Sequence, residues 1–310
     1  MAFPLPVVDF NDENLKPGSE AWHSACDVVR TALEDHGCYI ARYHKIDEEL
    51  RNSVVSAMER VFVLPLETRK QETSDKPFHS YIGQFANFPR YESVGIEDPL
   101  TISACKNFEH IMWPQGNDRF SEILNEYAKL LADFDGVTKR MVIESYGVDM
   151  KHCDSIIKST NYLLRCFKYR VTQSDESNLV LNPHTDLSFT SVMHQLNNIN
   201  GLEIKLKNGE WYNVDASPSF IVVMAGDAFQ CWSNGRIRSC EHRVTMNAKK
   251  IRLCMGFSSF CSEMMQIPKE LVDEKHPLGY KPLDHYGYLR FFEKEKIKET
   301  NPRLKAYCGV

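Results

Sequence analysis

The sequence predicts a mainly β protein whose core is flanked by helices, most of them on its N-terminal side. Between Tyr162 and Phe260, short β-like runs alternate with turn residues, a pattern typical of an antiparallel sandwich or barrel. The segments before this region carry apolar residues at helical spacing instead. A chain of 310 residues can form one large domain or two small ones, and we expect one.

The N-terminal region is expected to be mixed α/β. A short strand is predicted at 5–10, a helix from Ser19 to Gly37, and a second strand at 38–43. A second amphipathic helix is expected from Asp47 to Phe62. Residues 72–114 are rich in Gly, Pro, Asn and aromatics without a clear period. We therefore predict a long irregular connection there, serving as a pocket wall.

The strongest helical pattern runs from Arg119 to Tyr146, and the tail after Pro268 is again helix-like but broken by proline. Asn208-Gly209 between two β-like runs predicts a hairpin. We divide the chain accordingly into four regions, namely 1–115 (mixed α/β), 116–160 (a long supporting helix), 161–262 (the β core) and 263–310 (a helical tail that closes the pocket).

Composition excludes several classes of function. The net charge of −5 argues against binding to nucleic acid or an anionic membrane. The longest apolar runs, such as 220–225, are only strand-sized, and no secretion-signal pattern follows Met1. None of the ten cysteines forms a C-x-x-C pair, which favours free thiols over disulfides or structural zinc. We expect a cytoplasmic monomer that acts on a small molecule.

The strongest candidate site is His184-Thr185-Asp186 read together with His242. In a strand, residues i and i+2 point to the same face, so His184 and Asp186 can aim at one point. His242 begins a later β-like run and can add a second imidazole. Two imidazoles and one carboxylate on one face leave open positions, as non-haem Fe(II) and O₂ chemistry requires. A zinc hydrolase could use the same ligands, although no general base is evident.

Other histidines are weaker candidates. His152-Cys153-Asp154 follows a helix end and has no alternating pattern around it, so we reject this second H-x-D pair. His194 lies on the same run as His184, but ten residues of extended strand span roughly 33 Å, so we expect a core or surface histidine. His276 and His285 are expected to be solvated.

Arg252 lies inside the apolar run 251–257. A cation embedded in such a strand is costly unless it is paired, so a buried anion is expected next to it. The carboxylate of a substrate or co-substrate would satisfy it, as would a distant Asp or Glu.

Further landmarks extend along nearly the whole chain. In the N-terminal part they are Leu5-Pro6-Val7-Val8-Asp9, Asp35-His36-Gly37-Cys38-Tyr39, Leu64-Pro65-Leu66-Glu67 and Trp113-Pro114. In the β core they are Gly201-Leu202-Glu203, Trp211, Ala225-Gly226-Asp227, Trp232-Ser233-Asn234-Gly235-Arg236 and Ser239-Cys240-Glu241-His242-Arg243-Val244. With these motifs the chain resembles the plant 2-oxoglutarate- and Fe(II)-dependent dioxygenases that modify flavonoids and hormones. The resemblance extends to their glucosinolate-modifying and auxin-oxidising subgroup.

The resemblance implies a double-stranded β-helix (jelly-roll) core in which His184, Asp186 and His242 hold Fe(II). Arg252 and Tyr169 would bind the distal carboxylate of 2-oxoglutarate. The chain departs from the family pattern at two positions, where Cys254 replaces the usual serine of Arg-x-Ser and Phe167 replaces an asparagine. A thiol is a weak hydrogen-bonding group, so these departures put the strength of 2-oxoglutarate binding in question.

The implied activity is O₂-dependent oxidation of a small specialised metabolite or hormone by hydroxylation, desaturation, cyclisation or demethylation, with ascorbate as a supportive reductant. Halogenation is disfavoured because related halogenases lack the carboxylate of Asp186. Arg165 and Ser258 fall near substrate-contact positions of the family, although Arg165 could equally be a solvated strand residue. The alternatives are a same-fold iron oxidase that does not use 2-oxoglutarate and a non-catalytic jelly-roll binding protein.

Overall fold

The computed structural model describes residues 5–85, 88–117, 119–173, 176–295 and 302–310. Its helices are α1 (Glu20–His36), α2 (Glu48–Val63), α3 (Leu66–Arg69), α4 (Ile102–Met112), α5 (Phe120–Ser145), α6 (Met150–Lys158), α7 (Asp227–Trp232), α8 (His285–Glu295) and α9 (Pro302–Cys308). Its strands are β1 (Val7–Asp9), β2 (Cys38–Arg42), β3 (Ile82–Gly83), β4 (Tyr91–Glu97), β5 (Thr160–Tyr169), β6 (Leu179–His184), β7 (Thr190–Gln195), β8 (Leu202–Lys205), β9 (Trp211–Asn213), β10 (Phe220–Ala225), β11 (His242–Thr245) and β12 (Arg252–Cys261).

The strands form two sheets that face each other. The large sheet has the order β1-β2-β10-β7-β12-β5-β4-β3, and the small sheet has the order β6-β11-β8-β9. β1 and β2 are parallel, whereas the other pairs within the described ranges are antiparallel. Ile40 and Val222 of the large sheet share one apolar cluster with Leu202 and Ile204 of the small sheet. The predicted mainly β core with flanking helices is confirmed.

The boundaries of α1 follow from its end residues. The hydroxyl of Ser19 accepts a hydrogen bond from the backbone N–H of Trp22 over 3.1 Å, which caps the N-terminus. Gly37 ends the helix with φ +72°, and its N–H donates to the carbonyl of Leu33. A Cβ at Gly37 would lie 2.6 Å from the carbonyl oxygen of Arg238, so this close approach also requires glycine. The helix predicted from Ser19 to Gly37 is therefore confirmed.

α5 packs on the outer face of the large sheet in one apolar cluster, which also encloses buried polar groups. The carboxylate of Asp135 accepts from the Nζ of Lys139 over 2.7 Å and from the hydroxyl of Tyr162 over 3.0 Å, with both members of the ion pair fully buried. The hydroxyl of Tyr127 contacts Nδ1 of His194 over 2.9 Å, and Nε2 of this histidine contacts a backbone carbonyl. His194 is thus a core histidine on the side of the sheet away from the small sheet.

The hairpin predicted at Asn208-Gly209 is confirmed. β8 and β9 pair with Lys205 opposite Trp211, and Gly209 adopts φ +87° in the turn. Beyond the β core, α8 and α9 confirm the prediction of a helical tail interrupted by proline.

Two expectations are wrong. Residues 72–114 contain β3, β4 and α4 rather than only irregular chain, because β4 pairs with β5 along seven residues and supplies an order that local periodicity does not reveal. Ala86 and Asn87 of this stretch lie outside the described residues. His285 is 1% exposed rather than solvated, since its Nδ1 accepts from the N–H of Cys261 and its Nε2 donates to the carbonyl of Leu187. His276 is exposed, as expected.

Among the helices within the described ranges, none is both long and apolar enough to cross a bilayer.

Candidate metal centre

Two histidines and one aspartate converge at one end of the small sheet. β6 and β11 pair so that His184 lies opposite His242, and the two ring centroids are 4.2 Å apart. Asp186 follows two residues after the end of β6, and its Oδ1 lies 3.9 Å from the Nε2 atom of each histidine. The three side chains are close enough to share one metal ion. The structure thus brings together all three predicted ligands.

The hydrogen bonds of the two imidazoles prepare them for a metal. Nδ1 of His184 lies 2.8 Å from the carbonyl oxygen of Asn182, and Nδ1 of His242 lies 3.1 Å from that of Cys240. A carbonyl only accepts, so each Nδ1 carries the proton and each Nε2 presents a lone pair toward Asp186. This donor chemistry fits a divalent metal ion.

The electrostatics agree with this assignment. Burial, with a further contribution from His242, lowers the pKa of His184 to about 4, so its imidazole is neutral at pH 7. Burial alone would raise the pKa of Asp186, but His242 and His184 bring it below its usual value, so the carboxylate is ionised. Neutral imidazoles and an ionised carboxylate are the forms that ligate metals.

A close backbone contact shapes the loop after the aspartate. A Cβ at Gly226 would lie 2.0 Å from the carbonyl oxygen of Ser188, so only glycine allows α7 to begin here. At the start of that helix, the N–H of Asp227 donates to the carbonyl of Asp186 over 2.8 Å. Residues 185–189, which join β6 to β7 and carry Asp186, are called the ligand loop. The Ala225-Gly226-Asp227 motif supports this loop through backbone contacts.

Arg252 lies on the face of the large sheet that looks toward the small sheet, which we call the inner face. It is 1% exposed, and its guanidinium donates to Sγ of Cys254 over 3.3 Å and to Oε1 of Gln195 over 3.0 Å. Within the described ranges it forms no ion pair with Asp or Glu, and its Nε has no hydrogen-bond partner. Among the residues that the structure describes, no distant carboxylate therefore takes the role that this alternative requires. A buried, uncompensated guanidinium fits a carboxylate ligand such as that of 2-oxoglutarate.

Tyr169 completes this part of the inner face. It lies opposite Arg252 in the pairing of β5 with β12, and the guanidinium carbon is 4.9 Å from the centroid of its ring. Burial raises the pKa of Tyr169 well above its usual value, so its hydroxyl stays protonated and can donate to a carboxylate. The structure thus brings together the two predicted co-substrate residues.

Gln195 was not predicted as a site residue. Its Nε2 donates to the carbonyl of Asp215 over 2.9 Å, which leaves Oε1 to accept from Arg252. It lies opposite Cys254 in the pairing of β7 with β12. The two-residue period of β7 could have placed it on the inner face, but only once the pairing with β12 was known.

The two departures from the family pattern lie side by side. Burial raises the pKa of Cys254 despite the neighbouring Arg252, so the thiol is neutral. Phe167 is opposite Cys254 on β5, and its ring covers Gly256, where a Cβ would lie 2.6 Å from a ring carbon. This part of the inner face is therefore more apolar than a serine and an asparagine would make it.

Arg165 and Ser258 lie on the same inner face, further along β5 and β12. Arg165 is 6% exposed, and it donates to the hydroxyl of Ser93 over 2.9 Å and to the carbonyls of Phe78 and Ser80 over 2.6 and 3.1 Å. The interpretation of Arg165 as a solvated strand residue is therefore wrong. The hydroxyl of Ser258 lies 3.4 Å from that of Ser191.

The rival pair His152 and Asp154 lies on α6, away from the two sheets. Within the described ranges, the candidate ligands make up the one group of three or more His, Cys, Asp or Glu side chains close enough to share an ion. Their ligating atoms all lie within 4.8 Å of one another.

Comparisons with known proteins agree with this geometry. Residues 160–260 match the 2OG-Fe(II) oxygenase superfamily, and residues 5–105 match a family described as non-haem dioxygenase in morphine synthesis N-terminal. An Arabidopsis thaliana protein named "Probable 2-oxoglutarate-dependent dioxygenase AOP1" is 37% identical over 318 residues, covering 100% of this chain and 97% of its own.

Solved structures show the same fold. The dioxygenase for auxin oxidation from rice has a TM-score of 0.82 at 23% identity, covering 99% of this chain and 100% of its own. The 2-oxoglutarate complex of the Arabidopsis thaliana dioxygenase for auxin oxidation has a TM-score of 0.78 at 24% identity, covering 88% and 99%. The predicted jelly-roll core is confirmed.

The Arabidopsis thaliana relative matches over 97% of its length. The described residues present both a ligand set suited to iron and a buried arginine without an acidic partner. These findings select the oxygenase among the functions that the sequence left open. The chain belongs to the 2OG-Fe(II) oxygenase superfamily and is a 2-oxoglutarate-dependent dioxygenase whose cofactors are Fe(II) and 2-oxoglutarate.

Proposed function

We propose that His184, Asp186 and His242 are the iron ligands, and that Arg252, Tyr169 and Cys254 bind the distal carboxylate of 2-oxoglutarate. The observation that carries this proposal is the guanidinium of Arg252, which is buried on the inner face of the same barrel as the ligands and has no carboxylate partner in the described part of the chain. A buried cation of this kind is costly unless a ligand neutralises it.

Iron with bound 2-oxoglutarate would supply O₂ activation coupled to oxidative decarboxylation of 2-oxoglutarate to succinate and CO₂, the chemistry that oxidises the substrate. The residues of the chain orient and shield this chemistry. His184 and His242 would direct their Nε2 atoms at the metal. Asp186 would contribute one negative charge that offsets part of the charge of the metal. Gln195 and Cys254 hold the guanidinium of Arg252 in one position, so the co-substrate carboxylate meets a preorganised donor.

Apolar side chains exclude water from the space between the sheets. Val180, Val244 and Met246 of the small-sheet side pack in one cluster with Tyr169 and Cys254. Exclusion of water protects a reactive site from side reactions and strengthens the interaction of Arg252 with an anion.

We further propose that the substrate is a small specialised metabolite or hormone bound along the inner face beyond the iron, near Arg165 and Ser258. The auxin-oxidising proteins, which share the fold, support a small-molecule substrate. Arg165 donates to the backbone carbonyls of Phe78 and Ser80 and so holds this segment against the inner face. Ser258 offers a half-buried hydroxyl. A cytoplasmic, monomeric enzyme without nucleic-acid or membrane partners remains part of this proposal.

A screen of small-molecule candidates with Fe(II), ascorbate, O₂ and 2-oxoglutarate tests the proposal, with succinate and product mass followed together. A true substrate should raise succinate release in step with product. A gain of one oxygen, a loss of two hydrogens or the loss of a methyl group would identify the reaction. Asp186→Ala is the matched control, and product formed by this variant at the wild-type rate would refute the ligand assignment.

A further inference from the structure

A buried ion pair lies behind the candidate iron ligands. Nε of Arg303, on α9, donates to Oδ2 of Asp227 over 2.9 Å, and each side chain is 4% exposed. The hydroxyl of Tyr288, on α8, donates to the same oxygen over 2.7 Å. The C-terminal helices therefore meet the β core at the carboxylate that begins α7.

This ion pair holds the peptide between two of the ligands. Nη2 of Arg303 donates to the carbonyl oxygen of Thr185 over 2.7 Å. The hydroxyl of Thr185 donates to Oδ1 of Asp227 over 2.8 Å, and the N–H of Asp227 donates to the carbonyl of Asp186 over 2.8 Å. The backbone carbonyls of two successive residues are thus fixed from behind. The backbone dihedral angles of these residues set the directions of the His184 and Asp186 side chains relative to each other.

The guanidinium is suited to this task because it is a rigid fork. One nitrogen reaches the carboxylate of Asp227 while another reaches the carbonyl of Thr185, which a single ammonium cannot reproduce with the same geometry. The guanidinium carbon also lies 4.8 Å from the ring centroid of Phe292, so α8 limits its movement.

We propose that Arg303 is a positioning residue for the metal centre, acting through Asp227 and Thr185 to hold the ligand loop in its metal-binding conformation. The C-terminal helix α9 is thereby part of the support of the iron site, although it contributes no ligand. This inference rests on the proposed iron-binding roles of His184 and Asp186.

The buried pair of Lys139 and Asp135 provides a control, since it too is an ion pair in the core but it hydrogen-bonds neither Thr185 nor Asp186 nor Asp227. Its contacts lie at the far end of the loop, where Lys139 is over the ring of Phe189 and Asp135 accepts from Thr190. Breaking either pair should lower stability. Only the loss of the Arg303–Asp227 pair should also weaken the binding of metal.

The test is a titration of the metal-free, full-length protein with Co(II), followed by visible absorption at a temperature where circular dichroism shows every variant folded. Loss of a residue that orients metal ligands typically weakens metal binding by about 10- to 100-fold, and we expect this for Arg303→Met. Lys139→Met leaves the contacts of Arg303 with Asp227 and Thr185 intact and should change the Co(II) dissociation constant by no more than about twofold.

Arg303→Lys keeps the charge that neutralises Asp227 and decides the matter if Arg303→Met does not fold. We expect the Co(II) affinity to fall by about tenfold, the lower end of the range above, because one ammonium cannot hold both Asp227 and Thr185. Wild-type affinity in a folded Arg303 variant, or an equal loss in Lys139→Met, would overturn the inference.

The same titration separates the two proposals. If the wild type does not bind Co(II), or Asp186→Ala binds it as tightly as the wild type, the proposed ligand assignment fails. If the wild type binds, Asp186→Ala does not, and the Arg303 variants match the wild type, only the positioning role fails.

Discussion

Replacement of Arg252 by methionine should affect co-substrate affinity and protein stability in opposite directions. The side chain is 1% exposed and has neutral partners, Cys254 and Gln195. When 2-oxoglutarate is bound, loss of this buried charge partner should cost about 2 to 5 kcal/mol. The dissociation constant for 2-oxoglutarate should therefore rise by about 30- to 5,000-fold. Arg252→Lys keeps the charge but loses the fork, so an increase of about tenfold is expected, equivalent to about 1.5 kcal/mol.

Without co-substrate, Arg252→Met is no longer expected to be unfavourable. The wild type then holds a buried cation with no carboxylate among the described residues, and methionine removes the cost of its desolvation. The metal-free, co-substrate-free Arg252→Met protein should unfold at the same or a higher denaturant concentration than the wild type. Adding 2-oxoglutarate and metal should stabilise the wild type by about 2.7 kcal/mol at a hundredfold excess over the dissociation constant, and the variant far less.

Two measurements check this reasoning, namely calorimetric titration of 2-oxoglutarate into metal-loaded protein under anaerobic conditions and denaturant unfolding of the unliganded protein. Arg140→Met is the control, because Arg140 is half-exposed on α5 in a surface ion pair that contributes little. If Arg252→Met binds 2-oxoglutarate like the wild type, the assignment is refuted. A loss of about 3 to 5 kcal/mol of stability in the unliganded variant would instead mean that Arg252 is part of a structural ion pair.

Three further predictions concern other buried groups. Cys254→Ser should lower the Michaelis constant for 2-oxoglutarate by about tenfold, since a hydroxyl is a better hydrogen-bonding group than a thiol; an unchanged or higher value would show that another group already fills this role. Burial raises the pKa of Glu72 to about 7 from 4.5, so the stability contributed by its protonated form is present below pH 4.5 and lost as pH rises through 7. Relative to Glu72→Gln, the wild type should lose about 3 kcal/mol of unfolding free energy across this window, and parallel pH profiles of the two proteins in urea would contradict this. Lys139→Met leaves the Asp135 carboxylate buried without its cation and should cost about 3 to 5 kcal/mol in denaturant unfolding, whereas a cost below about 1 kcal/mol would show that the pair is not needed.

Local patterns were enough to predict the features that repeat along the chain. The caps and apolar spacing of α1 are encoded within the helix itself, and the turn at Asn208-Gly209 needs only its two flanking runs. The His184 and Asp186 pair follows from the two-residue period of a strand. The convergence of His242 and Arg252 on the same barrel was predicted by resemblance to a family and by the cost of a buried cation.

Features that depend on pairing across long sequence distances were missed. β4 is ordered by its neighbour β5, so its own composition looked irregular. Arg303 contacts Thr185 across 118 residues, and nothing near either residue indicates the other. Buried polar residues such as Arg165 and His285 look like surface residues in a sequence, because their partners are mostly backbone carbonyls and hydroxyls that carry no sequence signal.

Iron stoichiometry tests the central assignment most directly. The metal-free protein is loaded anaerobically with Fe(II), freed of excess metal, and assayed for bound iron and for O₂-dependent release of succinate from 2-oxoglutarate. We expect one iron per chain in the wild type and in His152→Ala, and loss of both iron and succinate release in Asp186→Ala and His242→Ala. Iron retained at wild-type levels in these two variants, or lost in His152→Ala, would contradict the account.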